Sequence, residues 1–462
     1  MNLPSSSFLN DQAKQRSWDL LRALLDGRAG KPFAVRFWDG QEIPSHPDAK
    51  PAFTFILTHP GALRRMLLPP GELSLAEAYL RGDFDIQGDI FAALDLGAAL
   101  EGYRLRDWLS LARQVLALPS TQPPRPHLVG RKPARLRGRP HSLERDQQAI
   151  RYHYDVGNDF YALFLGKWMT YSCAYFEEPD WDLDRAQEAK LDLICRKLRL
   201  KPGERLLDVG CGWGGLVIYA AKHYGVQATG ITLSPPQVEY ARRWAEREGV
   251  ADRVEILQRD YRQLDPNQPF DKIASVGMFE HVGRPQMGAY FENLLRVLRP
   301  GGLLLNHAIA ALHRREPSRL ERILLQKGQF VQRYVFPDGE LVPISEALHH
   351  AEHGGFEVRD VESLREHYAL TLRHWVRNLE RNHEHAVTLK DERTYRTWRL
   401  YMAASAKGFE RGSISVFQSL LVRADQGKSG LPLTRQHLYQ QVPHRKHHLH
   451  RSTPIPSVRE PI

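Results

Sequence analysis

The sequence predicts an α/β domain with a mostly parallel sheet, preceded by a smaller α+β domain. Three observations lead there. From about residue 200, short apolar runs alternate with amphipathic helical stretches. A glycine-rich turn within Leu206–Gly215 follows the first of these runs and opens a helix. A proline- and arginine-rich stretch at 118–147 separates this domain from what precedes it. With 462 residues, 42% hydrophobic and 26% charged, the chain is neither disordered nor disulfide-stapled. At ~150 residues per domain it has material for two or three cores.

In chain order, residues 1–117 read as the small α+β domain. KPFAVRFWDG and AFTFILTH alternate like strands, with a turn signal at Asp39-Gly40. PGALRRMLL and LSLAEAYLRG have helical spacing. Residues 118–147 lack apolar periodicity, and Arg125, Arg131, Lys132, Arg135, Arg137 and Arg139 have almost no acidic company. Two readings stay open for this linker: a solvated tether, or a patch for an anionic surface at about 1 kcal/mol per cation. Residues 148–425 carry the runs RLLDV, VQATGI, RVEIL, FDKIASV, GLLLNHA and FEVRDV, and VFQSLLVR closes the sheet as an antiparallel edge. That makes seven strands. Residues 426–462 read as a basic, disordered tail whose histidines are solvated, and no metal site is expected.

Charge and cysteine content narrow the function classes. There are 64 Lys and Arg against 54 Asp and Glu, a net charge of +10. That balance suits nucleic acid, an acidic lipid surface or a charged cofactor. Three cysteines cannot all pair, which fits a reducing compartment. The N-terminus lacks the pattern of a signal peptide, and no apolar run reaches the ~18 residues of a spanning helix. A cytoplasmic chain is expected, with any membrane contact peripheral.

The turn Asp208-Val209-Gly210-Cys211-Gly212-Trp213-Gly214-Gly215 lets backbone approach a ligand and offers helix N–H donors. Gly210, Gly212 and Gly215 also satisfy the dinucleotide fingerprint. Two features favour S-adenosylmethionine (SAM) over a nicotinamide. Asp208 sits inside the strand end, placed to accept from the ammonium of a methionine moiety. The next strand ends Thr229-Gly230-Ile231-Thr232, without the carboxylate that a nicotinamide ribose needs. A nucleic-acid methylase is disfavoured. The fourth strand is followed by GMFEHVG rather than an amine-gripping D/N-P-P-Y loop, and no Pro-Cys nucleophile exists.

Six segments occur in one order: His153 to Tyr161 (HYDVGNDFY), Tyr171 to Phe176 (YSCAYF), LLDVGCGWGG, Gly230 to Ser234 with Gln237, GMFEHVG, and Glu366 to Leu372 (EHYALTL). Over residues 150–425 this series resembles the cyclopropane-fatty-acid-phospholipid synthases and the mycolic acid cyclopropane synthases. GELSLAEAYLRGDFDIQGD resembles the extra N-terminal domain of the phospholipid enzymes.

The resemblance implies a Rossmann-like SAM-dependent methyltransferase that acts on the double bond of an unsaturated phospholipid acyl chain, with bicarbonate as a bound base. It maps the anion ligands to Cys173, Glu280, His307, Tyr368 and the backbone at Ile309. It maps the SAM contacts to Tyr171, Ser172, Gly210, Gly212, Gly214, Thr232, Gln237, Tyr261 and Arg262, beside Asp208. Gln237 would replace the ribose carboxylate, and Asp260 falls near the adenine. Glu280 and His307 would share a proton as a coupled pair. Each anion residue also has a plain structural reading, as core or cap, so the argument rests on their convergence. Ser405 stands where some members carry cysteine, and Asn306-His307-Ala308-Ile309 departs from a commoner His-Thr-Ile. The segment between His313 and Val335, with residues 364–412, would roof an acyl pocket. The implied partners are acyl chains and an anionic membrane at its inner face, with no nucleic acid and a possible homodimer. Alternatives are a methyl-branching fatty-acid methyltransferase, a non-catalytic lipid-binding module and, most distant, the nucleic-acid methylase.

Overall fold

The computed structural model describes residues 6–25, 31–69, 71–99, 112–121, 130–312 and 328–439. The N-terminal part holds a four-stranded sheet of β1 (Phe33–Arg36), β2 (Glu42–Pro44), β3 (Phe53–Leu57) and β4 (Phe84–Gly88), in the order β2-β1-β3-β4. Asp39 and Gly40 turn β1 into β2, with Gly40 at φ +87° and its N–H on Phe37 O. The apolar segments read as helical form the helices Ala62–Leu67 and Glu72–Arg81. Gly82 ends the second in left-handed backbone, donating to Ala78 O and Tyr79 O.

The second sheet comprises β5 (Arg205–Val209), β6 (Gln227–Thr232), β7 (Val254–Gln258), β8 (Phe270–Val276), β9 (Leu298–Ala311), β10 (Glu357–Ser363) and β11 (Ile414–Val422). Their order is β10-β11-β9-β8-β5-β6-β7. Strands β5 to β9 are parallel, and β11 runs antiparallel to β9 and β10. All seven apolar runs are therefore strands of one sheet. Buried on both faces, β5 and β8 read as near-continuous apolar runs. The chain steps outward from β5 through β6 to β7, then returns to place β8 on the other side of β5. The crevice at this reversal, beyond the carboxyl ends of the strands, is where such sheets bind ligands.

The helix Glu392–Glu410 joins the two parts. Arg396 donates to Tyr79 O and Phe84 O, both at 3.2 Å, and pairs with Asp85 at 2.6 Å. Arg399 donates to Tyr79 Oη at 2.9 Å and Ile86 O at 3.2 Å, and pairs with Glu380 at 2.8 Å. Both cations are buried, which is tolerable only with such partners.

Two expectations change. Arg131 is not a solvated linker cation. Its guanidinium lies against the rings of Tyr152 (4.1 Å) and Trp398 (4.5 Å) and donates to Tyr334 O (2.7 Å) and Tyr152 O (3.0 Å). Lys132, Arg135, Arg137 and Arg139 are exposed, and Arg125 lies outside the described residues. The expectation of a disordered tail from residue 426 does not hold for residues 426–439. Residues up to 439 are described, and Leu438, in the helix Gln436–Tyr439, is buried and accepts from Arg196. Residues 440–462 and 313–327, part of the expected acyl roof, lie outside the description. Among the described residues, no helix is long and apolar enough to cross a membrane.

Candidate active site

The glycine turn leaves β5 and enters the helix Gly215–Tyr224. Gly210, Gly212 and Gly214 all have positive φ, at +83°, +54° and +91°. A Cβ on Gly212 would meet nothing within 4 Å, so the space over it is open. Gly210, Gly212, Thr232, Gln237, Tyr261 and Arg262 line one cleft, with Tyr154 and Asp146 on its far wall. Asp208 is buried just below, and its Oδ1 has no partner. Burial pushes its carboxyl up to about 7, against the opposing charge of Lys190.

The remaining cleft residues are held in specific ways. Thr232 Oγ1 donates to Gln237 Oε1 at 2.7 Å, leaving the buried Gln237 Nε2 without a partner and available to a ligand acceptor. Arg262 lines the cleft, but its guanidinium is committed to Asp260 (2.7 and 2.8 Å) and Asp146 (2.9 Å). Its role is thus to fix the cleft wall, with Asp260 capping the short turn Tyr261–Gln263. Asp146 belongs to the helix Leu143–Tyr154, so this bridge ties that helix to the carboxyl end of the sheet.

Residues 170–174 run between this cleft and a deeper polar cluster. Gln187, on the helix Leu183–Lys197, donates to Ser172 O at 3.0 Å, and Lys190 donates to Ser172 Oγ at 2.7 Å. Tyr171 packs edge to face or tilted on Tyr161 and Trp375 and stacks on His153, whose ring faces Phe336 at 4.0 Å. Cys173 is fully buried, and burial pushes its thiol up. That thiol donates to Ala174 O at 3.2 Å, so it is a bound donor rather than a free thiolate.

The deeper cluster sits at the carboxyl ends of β8 and β9. Glu280, on the short turn after β8, accepts the Ile309 N–H on Oε1 at 2.7 Å. Its Oε2 is buried without a partner, and burial pushes the carboxyl up to about 7. His307 lies opposite Gln418 across the β9–β11 ladder, and Gln418 Nε2 reaches His307 Nδ1 at 3.2 Å. An amide nitrogen only donates, so Nδ1 accepts and the ring proton sits on Nε2. That Nε2 is buried and unpartnered, and burial keeps the ring neutral by lowering its pKa well below the usual value. Burial pushes the Tyr368 phenol well up, and Tyr401, Cys173 and Glu280 are near enough to add to that shift.

The structure thus brings Glu280, Tyr368 and Cys173 near one another, and holds Glu280 on β9 at Ile309, two residues from His307. The Ile309 N–H donates to Glu280. Burial raises the pKa of the Glu280 carboxyl and lowers that of the His307 imidazole. The orphaned Oε2 and Nε2 fit a small oxyanion: a protonated carboxyl and an imidazole N–H both donate. The orphaned Asp208 Oδ1, the orphaned Gln237 Nε2 and the space over Gly212 fit a zwitterionic nucleoside cofactor. Lys190, Gln187 and Gln418 were not anticipated. Gln187 and Lys190 interrupt the apolar face made by Leu183, Leu191 and Ile194, a signal present in the sequence.

A model of the mycolic acid cyclopropane synthetase family matches residues 141–419, and a model described as a domain of unknown function matches 20–98. A protein of Pseudomonas putida named probable fatty acid methyltransferase is 42% identical over 412 residues, which cover 88% of this chain and 96% of that protein. The cyclopropane-fatty-acyl-phospholipid synthase of Escherichia coli is 33% identical over 376 residues, covering 80% of this chain and 88% of that protein. A solved mycolic acid cyclopropane synthase complexed with S-adenosylhomocysteine (SAH) and CTAB is 36% identical, with a TM-score of 0.56. The match covers 60% of this chain and 97% of that one.

Proposed function

The chain belongs to the mycolic acid cyclopropane synthetase family, and from that premise we propose that it methylenates the double bond of an unsaturated phospholipid acyl chain. SAM supplies an electrophilic methyl group, and bicarbonate supplies the base that turns the methylated chain into a cyclopropane. The observation that carries this reading is two buried unpartnered polar atoms, Glu280 Oε2 and His307 Nε2, with Glu280 tied to β9 at Ile309, two residues from His307. A methyltransferase that only alkylates an amine or hydroxyl has no need of a dry anion pocket there.

Each residue then has a physical task. Asp208 and Ser172 hold the amino-acid end of the cofactor, and Gln237 offers its free amide to the ribose. His307 Nε2–H, protonated Glu280 and the Tyr368 hydroxyl donate to the anion, and Gln418 keeps the His307 proton on Nε2. The rings of Tyr171, Trp375, Phe336 and Tyr401 pack on one another around this region and exclude water. Their faces also stabilise positive charge developing on an acyl chain, so that the chain loses a proton rather than capturing water.

The exposed Lys132, Arg135, Arg137 and Arg139 suit residence on an anionic membrane at its cytoplasmic face, and a homodimer is compatible with the fold. The test of the activity is incubation with SAM and vesicles of unsaturated phospholipid, followed by mass analysis of the fatty esters. A gain of one CH₂ with loss of the double bond supports ring formation, and no mass gain on any unsaturated lipid overturns the reading. The names of the Pseudomonas and mycobacterial relatives, probable fatty acid methyltransferases at 42% and 40% identity, favour a second reading in which a methyl branch is left. With a hydride donor such as a reduced nicotinamide added to quench the methylated cation, a gain of CH₂ plus two hydrogens would identify that product.

A further inference from the structure

Lys190 is 1% exposed, at a depth where lysine is rare without a partner. It stands one turn after Gln187 on the helix Leu183–Lys197, which Asp182 starts by accepting the Arg185 N–H at 2.9 Å. Together the two polar residues grip the segment that carries Tyr171, Ser172 and Cys173. Gln187 holds Ser172 through its carbonyl, and Lys190 through its hydroxyl at 2.7 Å.

The direction of that last hydrogen bond sets the polarity of the site. An ammonium has donors only, so Ser172 Oγ must accept. The Ser172 O–H is then turned away from Lys190 and is free to donate to something else. Asp208 is close enough for the Lys190 charge to oppose the effect of burial on its carboxyl, yet its Oδ1 stays without a partner instead of closing on the ammonium. One side of this recess is therefore a carboxyl that an arriving ammonium would hold in its ionised, accepting form. The other is a donor with positive charge directly behind it. The amino-acid end of SAM is a zwitterion with an ammonium and a carboxylate, and it matches both.

We propose that Lys190 is the positioning residue for the cofactor carboxylate: it fixes Ser172 as a hydrogen-bond donor and places a buried positive charge behind that donor, while Asp208 takes the ammonium. This rests on the cofactor being SAM, and not on the identity of the methyl acceptor. A charge-assisted hydrogen bond of this kind is worth about tenfold or more in affinity.

The experiment compares SAM with decarboxylated SAM, which keeps the sulfonium and adenosine but lacks the carboxylate, by calorimetry without any lipid. Wild type should bind the decarboxylated compound about tenfold or more weaker than SAM. Lys190→Met, which nearly preserves volume, should weaken SAM by a similar factor and leave the decarboxylated compound within about twofold. Ser172→Ala should show the same selectivity, and the double variant should be no worse than the more affected single one, because the two act as a unit. Equal weakening of both ligands by Lys190→Met would make the lysine merely structural and overturn the proposal. So would additive losses in the double variant. Should Lys190→Met fail to fold, Ser172→Ala and wild type decide: a wild type that binds both ligands equally, or a Ser172→Ala loss shared by both, overturns it.

Discussion

Glu280→Gln should make the ligand-free protein more stable at alkaline pH while it removes activity. The Glu280 carboxyl is pushed from 4.5 up to about 7 by burial. Between those values the folded state binds a proton that the unfolded chain has released. The stability this contributes is complete below 4.5, is lost as pH rises towards about 7, and is flat above. The full loss is about 2.5 units at 1.36 kcal/mol each, or about 3 kcal/mol. Glutamine keeps an oxygen for the Ile309 N–H and carries no titrating proton. The variant should therefore gain about 2 to 3 kcal/mol over wild type between about pH 5 and about pH 8, read from denaturant midpoints at each pH. Turnover should fall about a hundredfold or more, because an amide can hold an anion but cannot exchange a proton with it. SAH affinity should stay within about twofold, since no cofactor contact is touched. A variant whose stability difference is the same at both pH values would show that Glu280 is not a strained acid, and collapse of SAH binding would move it out of the anion site.

Three further outcomes follow from the same geometry. Gly212→Val should abolish SAH binding by calorimetry, since its Cβ enters open cleft space at φ +54°; the backbone strain should add about 1 to 2 kcal/mol of destabilisation, and unchanged affinity would remove the turn from the cofactor site. Replacing Lys132, Arg135, Arg137 and Arg139 together by Gln should weaken flotation with anionic vesicles by a few kcal/mol at low salt, at about 1 kcal/mol per cation, without changing the melting temperature; Arg131→Gln should instead lower the melting temperature, and equal flotation of the fourfold variant would make the linker a tether. Arg399→Ala should cost about 3 kcal/mol in chemical denaturation because Glu380 and Tyr79 lose their shared cation, and a loss under about 1 kcal/mol would mean the N-terminal part is only loosely seated on that helix.

What the sequence made legible has a common physical origin. The seven strands were visible because a sheet covered on both faces needs continuous apolar runs, and the glycine turn because left-handed backbone at Gly210, Gly212 and Gly214 demands glycine. Glu280 and His307 were reachable through the resemblance, but their hydrogen bonding was not. His307 owes its tautomer to Gln418, which is 111 residues away and becomes its neighbour only through the antiparallel register of β11 on β9. Arg131 read as solvated because its partners, Tyr334 and Trp398, come from elements far along the chain. Arg396 and Arg399 were silent for a similar reason, since their acceptors in the N-terminal part, at Tyr79, Phe84 and Ile86, lie more than 300 residues earlier. Local pattern reveals what backbone and burial require, and misses charges whose partners are supplied by topology.

That division also explains how the two halves of the site are linked. Ser172 and Cys173 are consecutive, yet one is held by Lys190 and the other lies near Tyr368 and Glu280. A shift of that segment cannot move one group without the other, because Gln187 fixes the carbonyl between them. The Lys190 charge itself reaches both, acting on Asp208 on one side and on His307 on the other. Occupancy of the cofactor carboxylate would partly neutralise that charge and ease protonation of His307, so cofactor and anion affinities should be thermodynamically coupled, each raising or lowering the other by the same factor. Titrating bicarbonate against protein with and without SAH measures the factor directly. A Lys190→Met variant that keeps the wild-type coupling would place its origin in the backbone of residues 170–174 rather than in the buried charge.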